Sequence, residues 1–131
     1  VLTYHPTFRQ IMGSATTVKC RDRQPAYEEP AMVKHIVFWK LLPQANGQTA
    51  AANAEEMKTR LEALNGQIPG LRCLEVGIDV SRTPASADVA LYSELDSREA
   101  LDAYQQHPAH LAVGQWVGSV TAERSVVDYE Q

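Results

Sequence analysis

A tyrosine and two histidines recur at intervals of three residues near the carboxyl end of the chain, in the segment Tyr104-Gln-Gln-His107-Pro108-Ala-His110. Proline lacks a backbone N–H and disfavours helix in the residue before it, so we predict that one helix ends near His107 and another begins at Pro108. Such a break can direct the phenol and both imidazoles toward one space. Because imidazole titrates near neutral pH, the three side chains are candidates for a site that moves protons.

The overall composition is typical of a single soluble globular domain. The chain has 131 residues, of which 44% are hydrophobic and 21% charged, and its net charge is −4. Without a run of Lys and Arg, nucleic acid is not an expected partner, and no apolar stretch approaches the roughly 18 residues of a membrane span. Cys20 and Cys73 form no metal-type cluster and indicate no disulfide framework, so we expect a reducing, cytoplasmic location.

The composition of the chain changes near residue 31. Residues 1–31 have slightly more basic than acidic side chains, whereas residues 32–131 are acidic. The leading segment lacks sustained periodicity and ends in a stretch of mixed charge that contains Pro25 and Pro30, which is typical of a linker or arm. We therefore predict that residues 1–31 are a poorly ordered extension and that the domain comprises residues 32–131.

Hydrophobic periodicity predicts the elements that must position the histidines. Strands are predicted over residues 33–41, 71–80, 87–95 and 122–129, and helices over 50–67, from Asp96 or Ser97 as N-cap to 106, and from 108 toward 117. The resulting order β-α-β-β-α-β is the ferredoxin-like arrangement. The predicted fold is therefore α+β, with a single four-stranded antiparallel sheet that has helices on one face only.

The other face of this sheet needs a cover. In the first strand, alternation places His35, Val37 and Trp39 on one face and their neighbours on the other, and both sets are largely apolar. The uncovered face would present residues such as His35, Trp39 or Tyr92, or their alternating neighbours, which are too apolar for contact with water. A second copy of the chain is the simplest cover, so we expect a homodimer with a barrel-like interior.

Several sequence segments of residues 32–131 occur together in a recognisable order. They are Val33-Lys-His35-Ile-Val37, Ile68-Pro-Gly-Leu71, Asp88-Val-Ala-Leu-Tyr-Ser-Glu-Leu-Asp96-Ser97, Ala103-Tyr104-Gln-Gln-His107-Pro-Ala-His110 and Val126-Val-Asp-Tyr129. In these segments the chain resembles the stress-responsive A/B barrel family, the dimeric α+β barrel proteins called Dabb domains. The resemblance implies a ferredoxin-like subunit, a tight dimer and an apolar cavity between the sheet and the helices.

The resemblance also implies a chemistry. Some relatives are similar to plant polyketide cyclases, which close a ring by intramolecular aldol chemistry without cofactor or metal. There a histidine acts as base and a tyrosine contacts the substrate, and the equivalent residues here are His110 and Tyr104. A neutral imidazole in an apolar pocket can remove a proton α to a carbonyl, and a phenol can donate a hydrogen bond to the enolate oxygen. The alternative is that Tyr104 packs in the core and His110 satisfies backbone groups at the helix start.

His35 and His107 also match positions of the family. His35, Val37 and Trp39 are predicted to border the ligand cavity, although a buried histidine and tryptophan on an apolar strand face are equally typical of a core. His107 is a candidate ligand contact, and its place before a proline also suits a helix cap or a backbone anchor.

Three functions from different classes follow, and none of them requires a metal or a cofactor. A metal site at His107 and His110 lacks an obvious third ligand. The protein is a stress-associated dimeric barrel that binds a small apolar molecule, a cofactor-free polyketide cyclase-like lyase or related monooxygenase, or a structural interaction module without ligand. A pocket bordered by Tyr104, His110 and His35 favours the first two functions, and a cavity filled by side chains favours the third.

Overall fold

Four long strands and three helices account for most of the chain that the computed structural model describes, which is Cys20 and residues 31–131. In chain order the elements are β1 (Val33–Leu41), β2 (Gln44–Ala45), β3 (Gln48–Thr49), α1 (Ala50–Glu62), β4 (Leu71–Ile78), β5 (Val89–Leu95), α2 (Arg98–Gln106), α3 (Pro108–Val120) and β6 (Thr121–Glu130). The strands β4, β5, β1 and β6 form one antiparallel sheet in that order. The predicted α+β ferredoxin-like fold with a four-stranded antiparallel sheet is confirmed.

The helix-covered face of the sheet carries the buried side chains of the two central strands. In β1, His35, Val37 and Trp39 are buried, and the residues between them are more exposed. The β-branched and aromatic side chains of β1 suit a pleated strand that is packed on both edges. Beneath this face, the helices contribute buried residues to the same apolar core: Met57 and Leu61 from α1, Leu101 and Tyr104 from α2, and Val117 and Val120 from α3.

The uncovered face of the sheet carries the alternate side chains, among them Ile36, Phe38, Tyr92, Val127 and Tyr129. Ile36 aligns with Tyr92 of β5 on one side and with Val127 of β6 on the other. Phe38, Val127 and Tyr129 remain exposed in the single chain. Of the residues that the sequence offers for this face, Tyr92 and the alternating neighbours of His35 and Trp39 lie there.

Of the two alternatives that the sequence leaves open for β1, the structure places His35 and Trp39 on the helix-covered face, where both pair with residues of β5. His35 aligns with Ser93 and Trp39 with Val89, and all four side chains are buried. A strand with two apolar faces does not reveal from its own sequence which face meets the helices. The face is determined by the helices and the neighbouring strands.

The helices begin where the sequence predicts. The side chains of Thr49 and Ser97 each accept a hydrogen bond from a backbone N–H in the first turn of α1 and α2. Such capping stabilises a helix by about 1 kcal/mol. Pro108 opens α3, in which its missing N–H costs no hydrogen bond. This helix continues past the predicted residue 117 to Val120, and β6 follows at once.

The structure differs from the prediction at two element ends. α1 ends at Glu62 instead of near residue 67, because the chain enters turns that include Gly66 at a φ of +79°. Leu64 and Ile68 are nevertheless buried, so their helical spacing reflects core packing beyond the helix. β4 ends at Ile78, and Val80, predicted to continue its apolar face, is 92% exposed.

A short hairpin, β2–β3, occupies the predicted loop between β1 and α1. Its turn is formed by Asn46 and Gly47, at φ values of 54° and 74°. This pair of left-handed residues is the arrangement that Asn-Gly favours in two-residue hairpins. The hairpin supports α1, because the buried amide of Asn53 donates to the carbonyl oxygen of Ala45 at 3.0 Å.

Cys20 and Cys73 are joined by a disulfide, with their Cα atoms 5.4 Å apart. The prediction that the two cysteines form no disulfide framework is therefore wrong, and it fails because a pairing across 53 residues leaves no local sequence signal. The argument from cysteine usage for a reducing location loses its basis with it. The remainder of the predicted extension, residues 1–19 and 21–30, lies outside the described residues. In the described part of the chain, no helix is long and apolar enough to cross a membrane.

Candidate functional site

A cavity of about 150 Å³ lies between the helix-covered face of the sheet and α3. His35, Val37 and Trp39 of β1 line it from the sheet side, and Tyr104 and His110 line it from the helices. The apolar part of the cavity wall also includes Leu61, Leu91 and Val117. The structure thus brings together every predicted site residue except His107.

His107 lies at the junction of α2 and α3 and caps both. Its backbone is extended, at φ −63° and ψ 136°, as expected for a residue that precedes a proline. Its Nδ1 accepts a hydrogen bond from the backbone N–H of Ala109 at 3.1 Å. Since His107 does not line the cavity, its predicted role as a ligand contact is not supported. Its position is that of the cap that the sequence also indicated.

The rings of Tyr104 and His110 face each other across this junction. Their centroids are 4.4 Å apart and their planes are inclined by 53°. Nδ1 of His110 donates to the carbonyl oxygen of Gln105 at 3.2 Å, because a carbonyl can only accept. In the neutral imidazole, Nε2 therefore carries the lone pair and is the atom able to accept a proton.

The surroundings of His110 favour its neutral form. Burial is the main cause that lowers its pKa below 6.5, and the hydrogen bond to Gln105 opposes this shift. The charges of His35, Arg124 and His107 lower the pKa further. At neutral pH His110 is therefore a proton acceptor and not a cation.

The phenol of Tyr104 stays protonated because burial raises its pKa well above 10.0, against a smaller opposing effect of Arg124. Tyr104 is only 1% exposed. Within the described part of the chain its hydroxyl has no hydrogen-bond partner. The O–H next to His110 is thus available as a donor to a molecule in the cavity.

His35 is held in place by two neighbouring strands. Its Nδ1 contacts Oδ1 of Asp128, which is aligned with it on β6, and its carbonyl oxygen accepts from the hydroxyl of Ser93 at 2.9 Å. Because the carboxylate can only accept, Nδ1 of His35 donates this hydrogen bond. The ring meets Tyr104 edge-on at a centroid distance of 6.0 Å. Tyr104 therefore lies between two imidazole rings.

The sequence interpretation missed two glycines and an arginine of the cavity wall. Gly114 and Gly118 follow His110 at intervals of four residues, so the three form one stripe along α3. A Cβ built on either glycine would meet no atom within 4 Å. The spacing of His110, Gly114 and Gly118 by four residues is visible in the sequence. It indicates a helix face on which two positions beside the candidate base His110 carry no side chain.

Arg124 completes the wall from β6. It aligns with Trp39 in the sheet and lies four residues before Asp128, so alternation places it on the helix-covered face. The sequence signal was this alternation, but it gains meaning only once the pairing of β6 with β1 is known.

The cavity histidines do not belong to any group of three clustered metal ligands among residues 31–131 and Cys20. The one such group there is Cys20, Cys73 and Glu94, whose ligand atoms lie within 4.8 Å of one another. Its two sulfur atoms are bonded to each other, so they are not available as thiolate ligands while the disulfide is intact.

Comparison with known proteins agrees with this architecture. The family model for the Dabb stress-responsive A/B barrel domain matches residues 33–131. An uncharacterized protein of Streptomyces coelicolor is 35% identical over 100 residues, which cover 76% of this chain and 99% of that protein.

Two solved structures extend the comparison. A dimeric protein of unknown function with a ferredoxin-like fold from Bacteroides fragilis is 34% identical, with a TM-score of 0.65, and covers 76% of this chain and 96% of its own. A dimeric ferredoxin-like protein of unknown function from Thermobifida fusca has a TM-score of 0.67 at 24% identity and covers 82% of this chain and 97% of its own. Both of these similar proteins are dimers.

Proposed function

Because the chain belongs to the Dabb family of stress-responsive A/B barrel domains, we propose that it acts as a homodimeric barrel that binds a small, largely apolar molecule. The domain that does so comprises residues 32–131, and residues 1–31 are an extension to it. The ligand occupies the cavity beside the His-Pro-Ala-His segment.

The uncovered face supports the homodimer. Phe38, Val127 and Tyr129 are 43%, 54% and 42% exposed there, and the three described helices, α1 to α3, contribute to the core on the opposite side of the sheet. Covering apolar surface stabilises by about 25 cal/mol per Å². The dimeric state of the similar proteins from Bacteroides fragilis and Thermobifida fusca points the same way.

The observation that carries ligand binding is the unfilled cavity beside Tyr104 and His110. Its apolar walls suit the body of a small molecule, and a few convergent polar groups are typical of a site that orients a ligand. The hydroxyl of Tyr104 is available to a carbonyl oxygen. Gly114 and Gly118 add no side chain to the wall of this cavity, and a Cβ on either would meet no atom within 4 Å.

Hexanamide, which has a short apolar chain and a neutral carbonyl head, is a suitable probe. We expect NMR titration to show saturable binding of hexanamide, with shifts at the cavity residues. Gly114→Leu fills the space next to His110 and is expected to weaken binding at least 10-fold. Gln115→Leu introduces the same side chain at the next, exposed position of α3 and should leave binding unchanged.

Absence of binding to the wild-type protein would contradict the proposal and favour the interaction module. Unchanged binding by Gly114→Leu would show that the molecule binds elsewhere. Because Leu has a higher helix propensity than Gly, Gly114→Leu is not expected to unfold α3. A loss of binding by this variant would therefore reflect the filled space next to His110.

A second candidate function is cofactor-free proton abstraction, as in a polyketide cyclase-like lyase or a related monooxygenase. The observation that favours it is His110, neutral, with Nδ1 engaged and Nε2 available, 4.4 Å from the ring of Tyr104. In this function Nε2 removes a proton α to a carbonyl, and the hydroxyl of Tyr104 donates to the enolate oxygen.

Deuterium exchange of hexan-2-one in D2O, followed by NMR, tests this candidate. The wild-type protein should accelerate exchange of the protons α to the carbonyl. His110→Ala should lower the rate by roughly 10²-fold with little loss of stability, as expected for a general base. Tyr104→Phe removes one hydrogen bond and should lower it less. An unchanged rate for His110→Ala would contradict catalysis by this residue.

A further inference from the structure

We infer that the cavity selects molecules that carry a carboxylate, and that Arg124 is the residue that determines this preference. The inference rests on the proposed function, since it names the chemical class of the ligand of the same cavity.

Arg124 lies where the cavity meets solvent. It is a wall residue of the cavity and is at the same time exposed, as are Gly114 and Gly118 across from it on α3. On β6 it aligns with Trp39, which forms the buried part of the wall. Arg124, Gly114 and Gly118 are therefore the exposed residues of the cavity wall.

Arg124 differs from the other arginines of the described chain in having no carboxylate partner there. Four of the five described arginines face a carboxylate, in the pairs Arg60–Glu56 at 3.7 Å, Arg72–Asp96 at 2.5 Å, Arg82–Asp88 at 2.8 Å and Arg98–Glu130. No ion pair or hydrogen bond of the Arg124 side chain occurs within residues 31–131 or with Cys20. Its positive charge is thus uncompensated, although the net charge of the chain is −4.

The rest of the cavity wall carries no compensating negative charge. None of its lining residues within the described chain is Asp or Glu. Asp128, the nearest carboxylate along β6 on this face, contacts His35. The hydroxyl of Thr121 donates to the carbonyl oxygen of Val117 at 2.7 Å and is engaged as well. A positive group in a partly apolar cleft concentrates anions.

A carboxylate satisfies the donors that the cavity leaves unused. Guanidinium binds carboxylate through two parallel N–H···O bonds, which are stronger than bonds between neutral groups. The hydroxyl of Tyr104 is a third donor. The charge of Arg124 reaches both rings, since it lowers the pKa of His110 and opposes the rise at Tyr104. Leu61 and Leu91 remain as walls for the apolar part of the same molecule.

The test compares hexanoate with hexanamide, which differ in charge and hardly in shape. For the wild-type protein we expect hexanoate to bind at least 10-fold more tightly at low salt, and the difference to shrink as NaCl is raised. Arg124→Gln should abolish the difference by weakening the binding of hexanoate much more than that of hexanamide, and Arg124→Lys should retain part of it. Arg98→Gln is the control, because it removes the same charge from an exposed pair with Glu130 outside the cavity.

The outcomes separate this inference from the function on which it rests. If hexanamide binds in the cavity and hexanoate binds no more tightly, the preference is refuted and the proposed function stands. If neither molecule binds, the proposed function fails and the inference with it. If Arg98→Gln weakens hexanoate binding as much as Arg124→Gln does, the effect is one of net charge and the role of Arg124 is refuted.

Discussion

The side chains on the two faces of the four-stranded sheet have different packing partners. On the helix-covered face, His35, Val37 and Trp39 form one wall of a cavity, and His35 is held by Asp128. On the uncovered face, Phe38 is 43% exposed among the described residues. β1 thus contributes His35, Val37 and Trp39 to the cavity wall on one face and the exposed Phe38 to the other face.

The register of β1 therefore determines which side chains line the ligand cavity and which lie on the face proposed for dimerisation. A shift of one residue would exchange the two sets of side chains and place Phe38 in the cavity and His35 outside. Pairing on both edges fixes the register, since β1 aligns with β5 and β6 over nearly its whole length. Substitutions on one face should therefore affect one activity and spare the other.

The largest expected effect is on the uncovered face. Phe38→Glu places a charge where a second subunit would bury it, and we expect the dimer dissociation constant to rise at least 10²-fold. Sedimentation velocity at micromolar concentration should show a dimer for the wild-type protein and a monomer for the variant. Val80→Glu, at a position that is 92% exposed outside the sheet, serves as control and should remain dimeric.

If the wild-type protein is a folded monomer at that concentration, the uncovered face is stable in water and its proposed role as a dimer interface is refuted. If the monomeric Phe38→Glu protein still binds hexanamide, ligand binding does not depend on dimerisation.

The fold could be predicted from the sequence because its signals are local. Alternation located the strands, Ser97 marked the start of α2, and Pro108 marked the break that presents Tyr104 and His110 on one side. These signals arise from the period of each element and from capping, which act within a few residues.

The rest of the site depends on contacts between segments that are distant in the chain. The place of Arg124 requires the pairing of β6 with β1, and the partner of His35 requires the same register. The disulfide joins residues 53 positions apart and has no sequence pattern. Val80 shows the opposite case, in which a local pattern misleads. The alternating apolar pattern of β4 continues to Val80, but the strand ends at Ile78 and the side chain of Val80 is exposed.

The next largest effect concerns the disulfide, which links Cys20 to the uncovered side of β4. Cys73 aligns with Glu94, which aligns with Lys34 on that face. For a separation of 53 residues, loss of the constraint on the unfolded chain costs up to about 4 kcal/mol. Cys73→Ser and Cys20→Ser should therefore lower the free energy of unfolding equally in urea without reductant.

A dithiol reductant should abolish the difference between these variants and the wild-type protein. Deletion of residues 1–31 is expected to match the reduced wild-type protein in melting temperature, because the domain begins at residue 32. A further loss of several degrees would mean that the extension packs on the domain by contacts other than the disulfide.

A smaller effect is expected at Asp128 on the helix-covered face. Asp128→Ala removes the acceptor of the buried Nδ1 of His35, which should lower the free energy of unfolding by about 1–3 kcal/mol. Asp128→Asn keeps an acceptor oxygen and should cost less. Asp102→Ala, at an exposed position of α2, is the control. The dimer should persist in all three variants, and dissociation caused by Asp128→Ala would show that the two faces are not independent.

The smallest effect is the titration of His110, which reports on the charge inside the cavity. Burial and the charges of His35, Arg124 and His107 lower its pKa below 6.5, against the hydrogen bond to Gln105. Removal of the positive charge by Arg124→Gln should therefore raise the pKa, as measured from the imidazole signals in 1H–15N NMR, and Arg98→Gln should leave it unchanged.

The same shift has a consequence for stability. Because the pKa of His110 is lower in the folded than in the unfolded protein, the unfolded chain binds this proton more tightly. The contribution of His110 to stability is complete above pH 6.5 and is lost as the pH falls from there through the folded pKa. Arg124→Gln should make this loss smaller, when each protein is compared with its own His110→Gln variant to remove the effect of other titrating groups. An equal loss in both would mean that the charge of Arg124 is screened from the ring, and with it from any carboxylate bound there.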